Sequence, residues 1–365
     1  MRISDITTFL ESIAPLSYQE DYDNAGLIVG DRNKEISAAL ISLDCTEAVV
    51  DEAIEKGCGL IISHHPIVFR GLKKFNGNNY VERVVIKAIR NDIAIYAIHT
   101  NFDNVLHGVN AKIADKLGLK ACEILAPKTG LLKKLVTFCP IDHADKVRSA
   151  LFGAGAGGIG NYSDCSYNLE GFGTFKAGDQ TNAYVGEKGV LHKEPEVRIE
   201  TIYPVQIERQ VLRALFETHP YEEVAYDLYP LTNSFDHVGS GMIGILDNEA
   251  EELTFLQNVK KGLNTKVIRY TTLRGKAVRR VAVCGGAGGF LLQDAIRAGA
   301  DVFITADYKY HEFFDADEKI VIADVGHFES DQFTQELLFE IIQKKFANFA
   351  LHLTGKNTNP INYLF

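Results

Sequence analysis

The chain has 365 residues and a net charge of −10, so two domains or one domain with a large insertion are expected, and non-specific nucleic-acid binding, which depends on basic surface, is disfavoured. No apolar run approaches the about 20 residues of a membrane span, and the N-terminus lacks the basic and apolar regions of a signal peptide. The six cysteines form no C-x-x-C pair, which argues against a disulfide framework or a thiolate zinc site and favours a reducing cytoplasm.

The N-terminal part alternates between predicted helices and strands. An apolar stripe predicts a helix over residues 3–13, with Ser4 as its cap. Three predicted strands then alternate with two amphipathic helices, the first of which begins after the cap residue Thr46. This alternation is typical of a parallel sheet with right-handed crossovers. The strands cover residues 38–43, 60–62 and 93–98.

Two adjacent histidines, His64 and His65, follow the strand over residues 60–62. Pro66 lacks an N–H and keeps the preceding residue extended, so the strand should stop there. Open α/β sheets bind ligands at the carboxyl ends of their strands. Neighbouring side chains of a regular strand point to opposite faces, so both imidazoles can serve one site only if the strand breaks up at His65. The pair is interpreted either as metal-binding or as a capping pair without a ligand.

The strand over residues 93–98 ends in a similar polar group. His99 and Asp103 are four residues apart, which would place them on one face of a helical turn. An Asx-turn is the simpler interpretation of Asp103, but the parallel with His64 and His65 favours a ligand. In contrast, Asp23 precedes an Asn-Ala-Gly turn signal and is interpreted as part of a solvated turn before an edge strand.

The pattern changes near Pro127. The residues that follow alternate as strand, helix, strands, helix and strand, which fits a small ferredoxin-like α+β unit inserted into the chain. The glycine run at residues 153–160 matches no phosphate-binding motif and is interpreted as a mobile loop. The expected division is a metal-binding core lobe 1 over residues 1–127, an inserted domain over 128–231, and a metal-binding core lobe 2 over 232–365.

The strand–helix pattern returns in the last segment. A strand over residues 280–284 leads into Gly285-Gly286-Ala287-Gly288-Gly289 and a helix. This order is interpreted either as an anion-binding helix start or as a tight turn. Strands over residues 302–305 and 320–323 run into Asp307 with His311, and into His327 with Asp331.

Imidazoles and carboxylates therefore follow four strand ends, which come from both sides of the insertion. Such ligands without cysteine suit Zn, Mn, Fe, Co or Ni. A carboxylate can bridge two metal ions, and two-metal sites hold their ions about 3.5–4 Å apart. Such sites generate hydroxide from water and stabilise the leaving oxygen. Hydrolysis is the chemistry that this combination predicts.

Four segments of the chain resemble the signatures of the NIF-three-like family, whose members are known as GTP cyclohydrolase 1 type 2 homologues. The middle segment resembles the PII/CutA-like domain inserted in the longer bacterial members. The resemblance implies a two-lobed α/β core of mixed and parallel sheets flanked by helices, a dinuclear site of divalent metal ions, and a toroidal homohexamer. The matching segments are Asp23-Asn24-Ala25-Gly26-Leu27, His64-His65-Pro66, His99 to Asp103, and Gly326-His327-Phe328-Glu329-Ser330-Asp331.

The resemblance also implies roles for individual residues. Carried over by position, the metal ligands are His64, His65, Asp103, His327 and Asp331. The family usually has Glu at the last of these places, and Glu329 is the alternative for this chain. His99, Asp307 and His311 lie in matching segments, which implies that they support the ligands or transfer protons.

Two interpretations of function remain open. In the first, the protein is a metal-dependent hydrolase of a nucleotide-like substrate. The family name points to opening of the purine ring of GTP, with a metal-bound hydroxide attacking C8 and His99 or His311 moving protons. In the second, it is a metal-binding regulatory or scaffold protein whose inserted domain senses a small molecule. A cytoplasmic protein without membrane or nucleic-acid partners is expected in both cases.

Overall fold

The structure, a computed structural model, describes residues 1–364 as a mixed α/β protein with several sheets flanked by helices. The first helix has the predicted bounds, but Ser4 does not cap it: the Asp5 carboxylate accepts the Arg2 N–H at 2.8 Å. Thr46 caps the second helix as predicted, by accepting the Val49 N–H. The elements of this part are α1 (Ile3–Ile13), β1 (Gly26–Val29), β2 (Ala38–Ser42), α2 (Glu47–Glu55), β3 (Leu60–Ser63), α3 (Tyr80–Arg90), β4 (Ala94–Ala97), α4 (Thr100–Asp103), α5 (Val109–Lys116) and β5 (Lys120–Thr129).

The remaining elements follow in two groups. The middle of the chain forms β6 (Leu132–Pro140), α6 (Ala144–Gly153), β7 (Tyr167–Lys176), β8 (Leu191–Pro204), α7 (Glu208–Thr218) and β9 (Tyr226–Leu231). The last part forms β10 (Ser234–Glu251), α8 (Glu252–Gly262), β11 (Arg269–Tyr270), β12 (Ala277–Val283), α9 (Leu292–Arg297), β13 (Val302–Thr305), β14 (Val321–Asp324), α10 (His327–Asp331), α11 (Thr334–Lys345) and β15 (Ala350–Leu353).

Contacts divide the chain into two compact units. Met1–Pro127 and the segment that begins at His237 form one unit, and Lys128–Asp236 forms the other. Among residues 1–364, none of the helices has the length and apolar character needed to cross a membrane.

The first unit contains two sheets. In one, the strand order is β1-β4-β3-β2-β15, with β15, β2, β3 and β4 parallel and β1 an antiparallel edge strand. Leu40 and Ile61, on neighbouring strands, are fully buried against the apolar faces of α2 and α3. This is the predicted strand–helix arrangement, and it brings the carboxyl ends of β2, β3 and β4 to one edge of the sheet.

The second sheet has the order β11-β14-β13-β12-β10-β5. The strands β12, β13 and β14 are parallel, and β10 pairs antiparallel with β12. Each sheet takes one strand from the far side of the insertion: β15 joins the first and β5 joins the second. The two lobes expected from the sequence therefore share strands.

Glu52, on α2, connects the early part of this unit to the end of β15. It is 5% exposed, and its carboxylate accepts hydrogen bonds from Lys56 Nζ, Thr354 Oγ1 and the Gly355 N–H. Burial by itself raises the pKa of Glu52, but these hydrogen bonds lower it to about 2.

Glu52→Gln should destabilise the protein by about 1–3 kcal/mol at neutral pH. A carboxyl group whose pKa is lowered by folding stabilises the fold above its unfolded pKa, and this contribution is lost as the pH falls towards the folded value. The difference should therefore shrink between about pH 4.5 and about pH 2. Urea unfolding of both proteins as a function of pH measures this effect. The exposed Glu55 on the same helix offers a control, Glu55→Gln, and an equal difference at all pH values would contradict the prediction.

The second unit is a four-stranded antiparallel sheet of order β7-β8-β6-β9. Its chain order, βαββαβ, is that of ferredoxin-like units. The helices α6 and α7 bury Val147, Leu151, Val211 and Leu215 against one face of the sheet. The glycine run after α6 is anchored, because the Gly157 N–H donates to the Ile202 carbonyl and the Gly157 carbonyl accepts the Cys165 N–H.

Candidate metal centre

Polar residues that follow β3, β4 and β14 surround one cavity of the first unit, with a volume of about 430 Å³. The cavity lies at the carboxyl ends of these strands, where ligand sites of such sheets are expected. The structure thus brings together residues that are up to 267 positions apart in the chain. The predicted site residues that line this cavity are His64, His65, His99, Asp103, His327 and Asp331.

His64 is buried directly after β3, with 1% of its surface exposed. Its Nδ1 lies 2.8 Å from the Ile98 carbonyl oxygen, and a carbonyl can only accept, so this nitrogen carries the proton. The unprotonated Nε2 is then directed towards Asp103, whose Oδ1 is 3.6 Å away. Burial, followed by the charges of His65 and His99, lowers the pKa of His64 to about 3. A neutral imidazole with a free Nε2 is the form that binds metal ions.

The other three histidines are oriented in the same way by carboxylates. In each case Nδ1 lies 2.7 Å from an aspartate oxygen, which leaves Nε2 available on the other side of the ring. Pairs of this kind are a regular feature of metal sites, where the carboxylate fixes the ring and increases its basicity. The pairs are His65 with Asp44, His99 with Asp23, and His327 with Asp307.

The Nε2 atoms of the site converge around His65. Its Nε2 lies 3.4 Å from His327 Nε2 and 3.6 Å from Asp331 Oδ2, and the latter oxygen is 3.3 Å from His327 Nε2. Two groups have ligand atoms within 4.8 Å of one another: His64, His65 and His99, and His65, His327 and Asp331. His65 belongs to both groups, so it occupies the centre of the site.

The two aspartates of the cavity, Asp103 and Asp331, carry opposite pKa shifts. Burial and the charge of Asp331 raise the pKa of Asp103 well above its usual value, and Asp103 Oδ1 is buried with no hydrogen-bond partner among residues 1–364. Burial also acts to raise the pKa of Asp331, but the neighbouring ring of His65 and the charge of His327 lower it to about 2. A buried oxygen without a partner is costly unless a cation or donor compensates it.

The donor set fits divalent metal ions. Burial by itself lowers the pKa of His65, but the carboxylates of Asp331 and Asp44 raise it to about 10. The surroundings of His65 therefore favour positive charge, which a bound metal ion would supply in place of the proton. Cys284 also lines the cavity, but burial and the charges of Asp103 and Asp331 raise the pKa of its thiol. The site therefore offers imidazole nitrogen and carboxylate oxygen rather than thiolate.

The helix α10 decides between the two acidic residues that follow His327. Asp331 is one turn after His327 and lies on the same side of the helix. Glu329 does not line the cavity, and its Oε1 accepts a hydrogen bond from Asn359 Nδ2 at 3.3 Å. The geometry therefore favours Asp331 as the residue that faces the site.

His311 lies elsewhere. It is exposed on the 3₁₀ helix Tyr310–Ala316, where its ring contacts those of Tyr310 and Phe314. It does not line the cavity. The proton-transfer role predicted for His311 has no support from this placement, because a proton must pass within hydrogen-bond reach of the reacting group.

Sequence reasoning missed two aspartates that orient the histidines. The Asp23 side chain is fully buried, and it accepts hydrogen bonds from His99 and from the Thr100 N–H; the prediction of a solvated turn is therefore wrong. Asp44 was not singled out, although it follows β2 at the same carboxyl edge as His64 and His65. The rule that ligands collect at strand ends would have found it.

The glycine segment after β12 is a tight turn. The N–H groups of Gly285, Gly286 and Gly288 donate to Asn110 Oδ1, Ser330 Oγ and Thr305 Oγ1, each at 2.9 Å. These donors are therefore occupied within the protein, which argues against the anion-binding interpretation. A Cβ on Gly285 would lie 2.6 Å from Asp331 Oδ1, so glycine allows β12 to approach the site carboxylate closely.

Asp44→Asn should weaken metal binding by about 10–100-fold, because the amide cannot supply the charge that increases the basicity of His65. Competition with a fluorescent chelator measures this loss. Asp92→Asn is a matched control, because the Asp92 side chain is 86% exposed and pairs with Lys34. Equal affinities for the wild-type protein and the Asp44 variant would contradict the orienting role.

Comparison with known proteins gives a consistent result over the whole chain. Residues 1–360 match the family model described as Duf34/NIF3 (NGG1p interacting factor 3). The chain is 41% identical to the GTP cyclohydrolase 1 type 2 homolog of Halalkalibacterium halodurans and 39% identical to that of Bacillus subtilis, with 98% of each chain covered in both cases. It superposes on the crystal structure of a Bacillus cereus protein related to NIF3 with a TM-score of 0.85 and 41% identity, over 100% of this chain and 99% of that chain. The chain therefore belongs to the Duf34/NIF3 family.

Proposed function

We propose that the protein is a metal-dependent hydrolase that holds two divalent ions with His64, His65, Asp103, His327 and Asp331. The observation that carries this proposal is the common orientation of the imidazoles. Each Nδ1 is held by an oxygen atom, and each Nε2 faces the cavity. Three ligand rings oriented in this way would be an unnecessary arrangement for packing alone, whereas metal ligation requires it.

The bound ions would supply Lewis-acid activation of water and of the bond to be cleaved. Imidazole and carboxylate ligands suit Zn, Mn, Fe, Co or Ni. Within this arrangement His65 joins the two ligand groups, and Asp44 keeps its ring in place. His99 is placed to hold or transfer a proton at Nε2, since the contact of its Nδ1 with Asp23 keeps the ring in place.

A nucleotide-like substrate is the second part of the proposal. The cavity has a volume suited to a small molecule. Three exposed aromatic rings, those of Tyr22, Phe69 and Phe290, line it, and such rings can stack on a planar base. The name of the relatives, GTP cyclohydrolase 1 type 2 homolog, supports GTP as the first compound to test.

The proposal extends to the surroundings of the site. The βαββαβ order of the second unit supports a PII/CutA-like domain inserted at about residues 128–231. By its family resemblance the protein would work in the cytoplasm as a toroidal homohexamer. Light scattering coupled to size-exclusion chromatography, at several protein concentrations, tests the assembly.

The test of function is a turnover assay on the full chain loaded separately with each metal. GTP, other nucleotides and phosphoesters serve as substrates, and chelator-treated protein is the negative control. We expect metal-dependent turnover, which His99→Gln should reduce at unchanged metal content. Tight nucleotide binding without any turnover would instead favour a metal-binding regulatory or scaffold protein.

A further inference from the structure

A second cavity, of about 670 Å³, lies within the unit Lys128–Asp236. Its walls come from β6, β7 and β8 and from the segments that follow β7 and α7. All of its lining residues belong to this unit, so the cavity does not depend on the metal centre. Its volume is in the range of small-molecule binding sites.

Aromatic rings form much of the wall. The ring of Tyr221 lies 6.3 Å from that of Phe175 and 6.2 Å from that of Tyr184, measured between centroids. The ring of Phe172 has Lys193 Nζ at 4.1 Å from its centroid. An ammonium group therefore already contacts one ring of this wall, which shows that the surface suits cation–π contacts.

A buried carboxylate lies among these rings. Glu196 is 8% exposed, and its Oε1 accepts a hydrogen bond from Tyr221 Oη at 2.7 Å. Its Oε2 lies against Gly173, where a Cβ would come within 2.1 Å. Glycine at this position leaves the space that the carboxylate occupies. Burial and the bond to Glu196 raise the pKa of Tyr221, so the phenol remains a neutral donor.

The charge of Glu196 is not balanced within the unit. Among residues 1–364 no lysine, arginine or histidine forms an ion pair with Glu196, and Arg198 Nε instead donates to Glu200 Oε1 at 2.8 Å. Glu170, Glu222 and Glu223 also line the cavity, against Arg198 and the exposed Lys176. The cavity therefore has an excess of negative charge, and a buried carboxylate without a cation is costly.

We infer that this cavity binds a small organic cation, an ammonium group carried on an aromatic or aliphatic body. The ammonium would lie between Glu196 and the ring of Tyr221, with the body against Phe172, Phe175 and Tyr184. Such a site combines the carboxylate and the aromatic faces that recognise alkylammonium groups. This inference goes beyond the hydrolase function and does not depend on it.

Three probes that share one body test the inference: phenethylammonium, 2-phenylethanol and phenylacetate. Each is titrated into the full-length protein, and binding is followed by calorimetry and by ligand-observed NMR. The ammonium probe should bind at least about tenfold more tightly than the alcohol, which is about 1.4 kcal/mol, and phenylacetate should bind most weakly. Equal binding of the three probes, or no binding of the ammonium, would overturn the inference. A preference for phenylacetate would also overturn it and would indicate an anion site at Arg198 and Lys176.

Two variants locate the site, and one serves as control. Glu196→Gln keeps an acceptor for Tyr221 but removes the charge, so it should weaken binding of the ammonium probe about tenfold or more. Gly173→Ala should also weaken binding of the ammonium probe, since the new methyl group displaces the Glu196 carboxylate. Glu217→Gln should change nothing, because Glu217 is exposed on α7 and pairs with Arg213. Unchanged binding in the Glu196 variant would exclude this site.

These variants also separate the inference from the proposed function. The metal content of each should equal that of the wild-type protein, since none of the substituted residues lies at the metal centre. Thermal unfolding of each variant verifies that it is folded. Should Glu196→Gln unfold, Tyr184→Leu provides the second measurement, because it removes an exposed aromatic wall and leaves the carboxylate in place. If the ammonium probe binds Tyr184→Leu as tightly as the wild-type protein, the aromatic part of the inference is contradicted.

Discussion

His65→Ala should remove most of the metal bound to the protein. His65 belongs to both ligand groups, and its Nε2 lies within 3.6 Å of Asp331 and 3.4 Å of His327. Its loss therefore affects both proposed ion positions, whereas loss of a peripheral ligand would affect one. We expect the metal content, measured by elemental analysis of dialysed protein, to fall from about two ions per chain to well below one.

Two other histidines are suitable controls for this experiment. His143 Nε2 contacts the Tyr184 hydroxyl, and His192 Nε2 contacts Glu194. Both belong to Lys128–Asp236 rather than to the unit that contains the metal centre. Their alanine variants should retain the wild-type metal content. Retention of that content by His65→Ala would exclude the ligand assignment.

The second large effect is expected at the acidic end of α10. Asp331→Ala should lower metal affinity by about 100-fold or more, because it removes the one carboxylate of the group that His65 and His327 complete. Glu329→Gln is the matched variant, two residues away on the same helix. It should leave the affinity unchanged, since Glu329 faces Asn359 rather than the cavity.

Titration of both variants with a competing chelator distinguishes the two acids. A loss confined to Glu329→Gln would assign the fifth ligand to Glu329 and would contradict the geometry of α10. Asp331→Glu adds one methylene and restores the residue that the family resemblance implies. Recovery of affinity in that variant would show that the position tolerates both carboxylates.

Local periodicity predicted much of the fold. The helix α1 has the bounds that its apolar stripe indicates, and the parallel order of β2, β3 and β4 follows from their strand–helix alternation. Pairing between distant segments could not be predicted in this way. The positions of β5 and β15 depend on partners far away in the chain, and no local pattern encodes such a partner.

The candidate site was predicted in part, for a related reason. Strand-end position identified His64, His65, His99 and His327, because parallel strands bring their carboxyl ends together. It did not identify Asp23, since a carboxylate that orients a histidine has the same local pattern as a turn residue. The same criterion of strand-end position also selected His311. The residues that follow β13 place this side chain at the surface instead of in the cavity.

The position of β15 has a consequence for biosynthesis. This strand closes the parallel edge of the first sheet beside β2, where Ala350 pairs with Ala38, 312 positions earlier in the chain. Until it emerges from the ribosome, the backbone groups of β2 remain unpaired on that side and are open to incorrect association. Completion of the sheet that carries His64 and His65, and with it the loading of the site, must therefore wait until β15 has been synthesised, long after β2, β3 and β4.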